Sequence, residues 1–135
     1  MFDFKFDWND SLILGIQIID DQHKELFRIG REIEQVLLIG CINLDKQYIL
    51  NLLCKMRDYV TYHFYEEEKL IKELNIHLLR NHKNEHDKFI EWLNSIDCVK
   101  LVEFPQIYLK EIKEILQKWV FEHILIEDRK VFCVI

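Results

Sequence analysis

Apolar residues recur at helical spacing in four long stretches of this chain, and only short breaks separate them. The first stretch runs from about Ile16 to Ile39, with Ile16, Ile19, Leu26, Ile33 and Leu37 in phase. Gly40 supplies its stop, and Asn43 or Asp45 is placed to cap the next helix. The second runs from about Lys46 to Leu74 and puts Ile49, Leu52, Met56, Val60, Leu70 and Leu74 on one face. Asn75 breaks it. The third runs from about His77 to Ile96, with Leu79, Phe89, Leu93 and Ile96. Residues 97–104 read as a connection. Pro105 suits the first turn of a fourth helix, where its missing N–H costs nothing, and Ile112, Ile115, Leu116, Trp119 and Ile126 follow. Short connections make neighbouring helices antiparallel. The expected fold is therefore all-α: an up-down-up-down four-helix bundle over residues 16–128.

The ends read differently. Phe2, Phe4, Phe6 and Trp8 alternate with charged residues, but no second strand signal follows to pair with them. Residues 1–15 are expected to form an extended N-terminal arm lying across the helices. Residues 129–135 form an apolar C-terminal tail, which packs against the arm or mediates self-association.

Composition limits the alternatives. The 135 residues include only 3 Gly and 1 Pro, too few for the turns of a sandwich or barrel. Half the chain is hydrophobic, enough for one packed domain spanning residues 1–135. A net charge of −6 disfavours nucleic acid and anionic membrane as partners. No apolar run approaches the roughly 20 residues of a membrane span. Asp3, Lys5, Asp7 and Asp10 interrupt any signal peptide, so the expected location is the cytoplasm. Cys41, Cys54, Cys98 and Cys133 form no C-x-x-C and read as reduced thiols.

Polar residues stand where the core should be. His23 interrupts the first apolar stripe, His63 and Glu67 the second, His82 and His86 the third, and His123 the fourth. Five of the 6 histidines thus fall on inward seams. Burying them without partners costs several kcal/mol each, at the order of about 2 or more per group. A metal removes that cost. His63/Glu67 and His82/His86 are i, i+4 pairs, one turn apart on one face, as two ligands of one ion must be. Asp128 follows His123 at i+5, which on an ideal helix swings it about 140° away. It joins the site only if the helix ends or bulges there. His77 lies off the seam and receives no role. Of Glu66, Glu67 and Glu68, only Glu67 continues the inward stripe.

At these residues the chain resembles the bacteriohemerythrins, prokaryotic hemerythrin-like oxygen-binding proteins. The resemblance covers an aromatic arm around Phe6 and Trp8, Gly15-Ile16, and Asp20-Asp21-Gln22-His23 with Leu26. It continues through His63-Phe64-Tyr65-Glu66-Glu67, His82-x-x-x-His86-x-x-Phe89, and Trp119 with His123-Ile124 and Asp128. Asn75-Ile76 departs from the Tyr-Pro frequent at that turn in relatives, far from any ligand. Myohemerythrin is itself a standard example of the expected bundle.

The resemblance implies two Fe ions in a non-haem centre. His82, His86 and His123 would bind one, His23 and His63 the other. Glu67 and Asp128 would bridge them together with an oxo or hydroxo group. If each iron prefers roughly six ligands, about twelve positions exist and this set fills all but one. The open position, on the iron with two histidines, is expected to take O2, and small anions are expected to compete there. Helix direction nominates Leu26, Phe27, Tyr59, Val60, Trp119 and Val120 around it. Ordinary packing accounts for Phe27 and Tyr59. Leu26, Trp119 and Val120 are the expected O2-pocket residues, excluding water and slowing autoxidation.

The implied function is reversible O2 binding, for storage, transport, delivery or sensing, without an enzymatic reaction or a signalling domain of its own. The alternative is a di-iron oxidase or peroxidase, or an iron- or NO-handling protein. Di-iron oxygenases favour carboxylate-rich sites. Here imidazoles outnumber carboxylates, which favours lower oxidation states. Seven ligands also exceed what one tetrahedral zinc takes.

Overall fold

Helices account for almost all of the described residues. A computed structural model describes residues 6–42 and 44–132, and no strand occurs among the described residues. The main helices are α1 (Gln17–Leu38), α2 (Lys46–Leu74), α3 (Leu79–Asn94), α4 (Cys98–Glu103) and α5 (Pro105–Glu122). A π-helical turn, His123–Asp128, and the short α6 (Arg129–Phe132) complete the chain's helical content, with 3-10 turns at Asp10–Leu12 and Ile76–Leu78. Helix α1 packs against α2 and α5, and α2 packs against α3. The result is an all-helical bundle around one core that includes Ile33, Leu52, Met56, Leu93, Leu116 and Ile124. Among the described residues no helix is long and apolar enough to cross a membrane.

The helix ends follow local chemistry. Gly40, at φ 69°, ends α1, with its own N–H bonding Leu37 O at 3.0 Å and Cys41 N–H bonding Val36 O at 3.1 Å. Those two bonds satisfy carbonyls that a helix end leaves bare. Asp45 caps α2 by accepting from Tyr48 N–H at 2.7 Å. Asn43 lies outside the described residues. Asn75 ends α2 and caps the next turn, accepting from His77 N–H at 3.2 Å. Pro105 occupies the first turn of α5.

Three expected boundaries need correction. Residues 97–104 are not a plain connection. Asp97 accepts from Val99 and Lys100 N–H and starts α4, and fully buried Leu101 anchors it. The third helix proper begins at Leu79, because a 3-10 turn takes up residues 76–78. Leu74 and Ile126 are more than half and half exposed respectively, so neither belongs to the buried stripe. Ile71 takes the inward position on α2, and Ile124, in phase with Leu116 and Val120, takes it on the last helix.

The segment before α1 is tied down at several points. The Phe6 ring lies against Gly30, where an added Cβ would sit 2.5 Å from it. Phe6 N–H donates to the buried Glu34 carboxylate at 2.9 Å. Phe27 meets Phe6, Trp8 and Phe121 edge-on, with centroids 5.8, 5.4 and 5.5 Å away. Asp20 accepts from Leu14 and Gly15 N–H at 2.8 and 3.1 Å. Arg129 reaches back to Ser11 O at 2.6 Å, which joins the two ends of the chain. Phe2 and Phe4 lie outside the described residues. In the tail Val131 is buried and Phe132 half-buried, and residues 133–135 lie outside the described residues. Cys41, Cys54 and Cys98 are free thiols.

Candidate metal centre

Four segments deliver polar side chains to one depth in the bundle. Helix α1 supplies His23, α2 supplies His63 and Glu67, α3 supplies His82 and His86, and the π turn supplies His123 and Asp128. None of the seven is more than 3% exposed. Their donor atoms fall into two groups, each within 4.8 Å across: Glu67, His82, His86 and His123, and His23, His63, Glu67 and Asp128. Glu67 is common to both. His77 stands apart, exposed in its 3-10 turn.

The two carboxylates lie between the groups. Glu67 Oε1 stands 2.5 Å from His82 Nε2 and 3.2 Å from His86 Nε2, while Oε2 stands 3.0 Å from His63 Nε2. Asp128 Oδ1 stands 2.8 Å from both His82 and His123 Nε2, while Oδ2 stands 3.1 Å from His23 Nε2. Each carboxylate therefore turns one oxygen to the three-histidine group and the other to the two-histidine group. Asp128 reaches this place because residues 123–128 are wound as a π turn. A π turn takes in one more residue than an α turn, so an i+5 residue returns to nearly the same face.

Among the described residues, His23 Nδ1 and Nε2, Glu67 Oε2 and both Asp128 oxygens are buried with no hydrogen-bond partner. Several lie close to one another, but off the lines a hydrogen bond needs. Buried carboxylates left without partners are strongly unfavourable. Three imidazole Nε2 atoms also crowd together, His123 lying 3.0 Å from both His82 and His86. Nitrogen and oxygen donor atoms converging in each group within 4.8 Å of one another suit cations, and the donor set fits transition-metal ions.

The electrostatics agree. Burial pushes the His23 imidazole down, but the Asp128 and Glu67 carboxylates outweigh burial and carry it up to about 9. The same balance puts His82 at about 9 and His123 at about 10. For His63 burial wins, and its pKa falls. Burial pushes Glu67 and Asp128 up, yet the surrounding histidines hold both well below the usual carboxylate range.

Outer partners fix the rings. His63 Nδ1 pairs with Gln22 Oε1 at 2.7 Å, His86 Nδ1 with Glu68 Oε2 at 3.1 Å, and His123 Nδ1 with Glu85 Oε2 at 3.2 Å. Apolar periodicity does not reveal these three residues. The only sequence signal is adjacency, since Gln22, Glu68 and Glu85 each neighbour an inward residue. Phe64 stacks on His86 with centroids 3.8 Å apart, and Trp119 stacks on His123 at 4.2 Å. Trp119 also lies 6.1 Å from His86, so its indole packs on the three-histidine group, not beside the other group where helix direction placed it. Leu26 and Val120 are buried one turn from His23 and His123. Phe27 packs against the N-terminal segment, and Tyr59 sits half-buried beside Tyr62.

The geometry is that of a helical bundle with two adjoining donor groups, each able to hold a metal ion. Residues 14–135 match the family described as Hemerythrin HHE cation binding domain. Similar proteins include a Bacteriohemerythrin of Clostridium acetobutylicum, 34% identical over 93% of this chain and 97% of that protein. A Bacteriohemerythrin of Pseudomonas paraeruginosa is 30% identical over 90% of this chain and 75% of its own length. A Hemerythrin-like protein of Naegleria gruberi is 28% identical over 93% and 89%. The chain belongs to the hemerythrin family.

Proposed function

We propose that this chain binds O2 reversibly at a non-haem di-iron centre, serving oxygen storage, transport, delivery or sensing. The observation that carries the reading is the divided aim of Glu67 and Asp128, each with one oxygen toward either histidine group. His82, His86 and His123 would hold one iron, and His23 and His63 the other, with both carboxylates shared. The fold in this reading is a single up-down-up-down four-helix bundle with an N-terminal arm.

Two ferrous ions held there would supply the electrons that reversible O2 binding needs. The protein's own part is to hold and to protect. Gln22, Glu68 and Glu85 keep the Nε2 atoms turned inward. Glu67 and Asp128 would balance the positive charge of the metals. Leu26 and Val120 form the dry wall next to His23 and His123, and Trp119 closes the neighbouring three-histidine group. Five neutral imidazoles against two carboxylates favour the lower oxidation states, and hence release over oxidation of a substrate.

The test is optical. Iron-loaded, reduced protein is exposed to air and then degassed. A visible band that appears and disappears over repeated cycles supports the reading. Irreversible bleaching, or turnover of an added reductant with peroxide, favours an oxidase or peroxidase instead.

A further inference from the structure

The two histidine groups are held from behind by different kinds of residue. His86 and His123, of the three-histidine group, direct Nδ1 to the Glu68 and Glu85 carboxylates. A carboxylate only accepts, so each ring donates its Nδ1–H and keeps the Nε2 lone pair inward. In the other group, His63 donates to the neutral Gln22 amide oxygen, and His23 Nδ1 has no partner among the described residues. Both kinds of acceptor orient a ring. Only an anion also draws the N–H proton strongly toward itself and leaves Nε2 the more basic ligand.

We infer that Glu68 and Glu85 are positioning residues that make the three-histidine group the tighter of two cation sites, so that a divalent metal fills it first. The inference rests on the metal-site reading above but not on oxygen binding. Three imidazoles against two already lean the same way, and the two carboxylates widen the gap. Lys83 approaches Glu68 only to 3.9 Å, and at Oε1 rather than at the Oε2 that faces His86. Glu85 is half-exposed on the rim of a cavity of about 540 Å³, floored by Phe89, Trp92 and Trp119. Its replacement by Gln therefore removes charge without emptying a packed site.

The experiment is titration of the metal-free full chain with Co²⁺ against a competing chelator, followed by visible absorption. The expected result is two steps. E85Q and E68Q each weaken the first step by about 10–100-fold and leave the second unchanged. Q22E strengthens the second step, a gain that mere structural damage does not produce. Circular dichroism of the metal-free variants checks that they remain folded. Two steps indifferent to E85Q and E68Q, or weakened equally by them, overturn the inference alone. A wild-type chain that takes up no cobalt overturns it together with the metal-site reading.

Discussion

Asp128 follows His123 by five residues, yet its Oδ1 stands 2.8 Å from His123 Nε2. The π turn between them absorbs one residue and returns the carboxylate to the inward face. Ile126 is half exposed in that turn, while Ile124, four residues after buried Val120, lies in the core.

Deleting Ile126 should restore an uninterrupted α-helix with the carboxylate at i+4, still on the His123 face. The shortened chain should bind metal within about 10-fold of the wild type, while Asp128→Ala should lose about 10-fold or more. Chelator competition measures both. A folded deletion variant as weak as the alanine variant contradicts the register argument.

The metal-free chain should lose stability in alkali. His23, His82 and His123 titrate at about 9, 9 and 10 when folded, above the ordinary 6.5. Their contribution is complete below pH 6.5 and disappears as pH rises through 9 to 10. Lowered His63 works in the opposite sense and costs stability on the acid side of 6.5. The melting midpoint of metal-free protein should fall by about 5 °C or more between pH 6.5 and 10. Metal-loaded protein should not follow that curve, because metal in place of the Nε2 protons leaves those nitrogens nothing to titrate. Coincident profiles contradict the raised pKa values of these three histidines.

Gly30→Ala should destabilise by about 1–3 kcal/mol, since the new Cβ meets the Phe6 ring. In a Phe6→Ala background the same change should be neutral or stabilising by up to about 1 kcal/mol, from helix propensity. Urea unfolding of the four chains measures the coupling. Its absence means that Phe6 does not pack there in solution.

Arg57→Met should cost about 1–3 kcal/mol without altering metal content. Its guanidinium donates to Leu93 O at 3.0 and 2.8 Å and to Ile96 O at 3.3 Å, fastening α2 to the end of α3. Urea midpoints and metal analysis separate the two effects.

Val120→Ser should raise the autoxidation rate several-fold at unchanged iron content, because a hydroxyl beside His123 admits water. An unchanged rate removes Val120 from the proposed dry wall.

Much of this was legible in the chain because burial and polarity conflict so openly. His23, His63, Glu67, His82, His86 and His123 interrupt apolar stripes, and a stripe predicts direction. Asp128 breaks that logic, since helical periodicity assumes 3.6 residues per turn and a π turn does not obey it. Glu68, Glu85 and Gln22 were illegible for another reason. They lie off the stripe on their own helices, and their role depends on which ring a neighbouring helix presents. Trp119 shows the limit of direction arguments: its stripe position predicts burial near the metals, but only the stacking on His123 shows which group it covers. The short α4 escaped because its six residues, though preceded by the capping Asp97, show too little periodicity to register.

The central claim is that these seven side chains hold two metal ions between them. Anaerobic loading with ferrous salt, followed by gel filtration and metal analysis, tests it most directly. The account predicts two irons per chain in the wild type and a clear deficit in Glu67→Ala. A wild-type chain that emerges without iron, or an iron content untouched by loss of the Glu67 carboxylate, contradicts it.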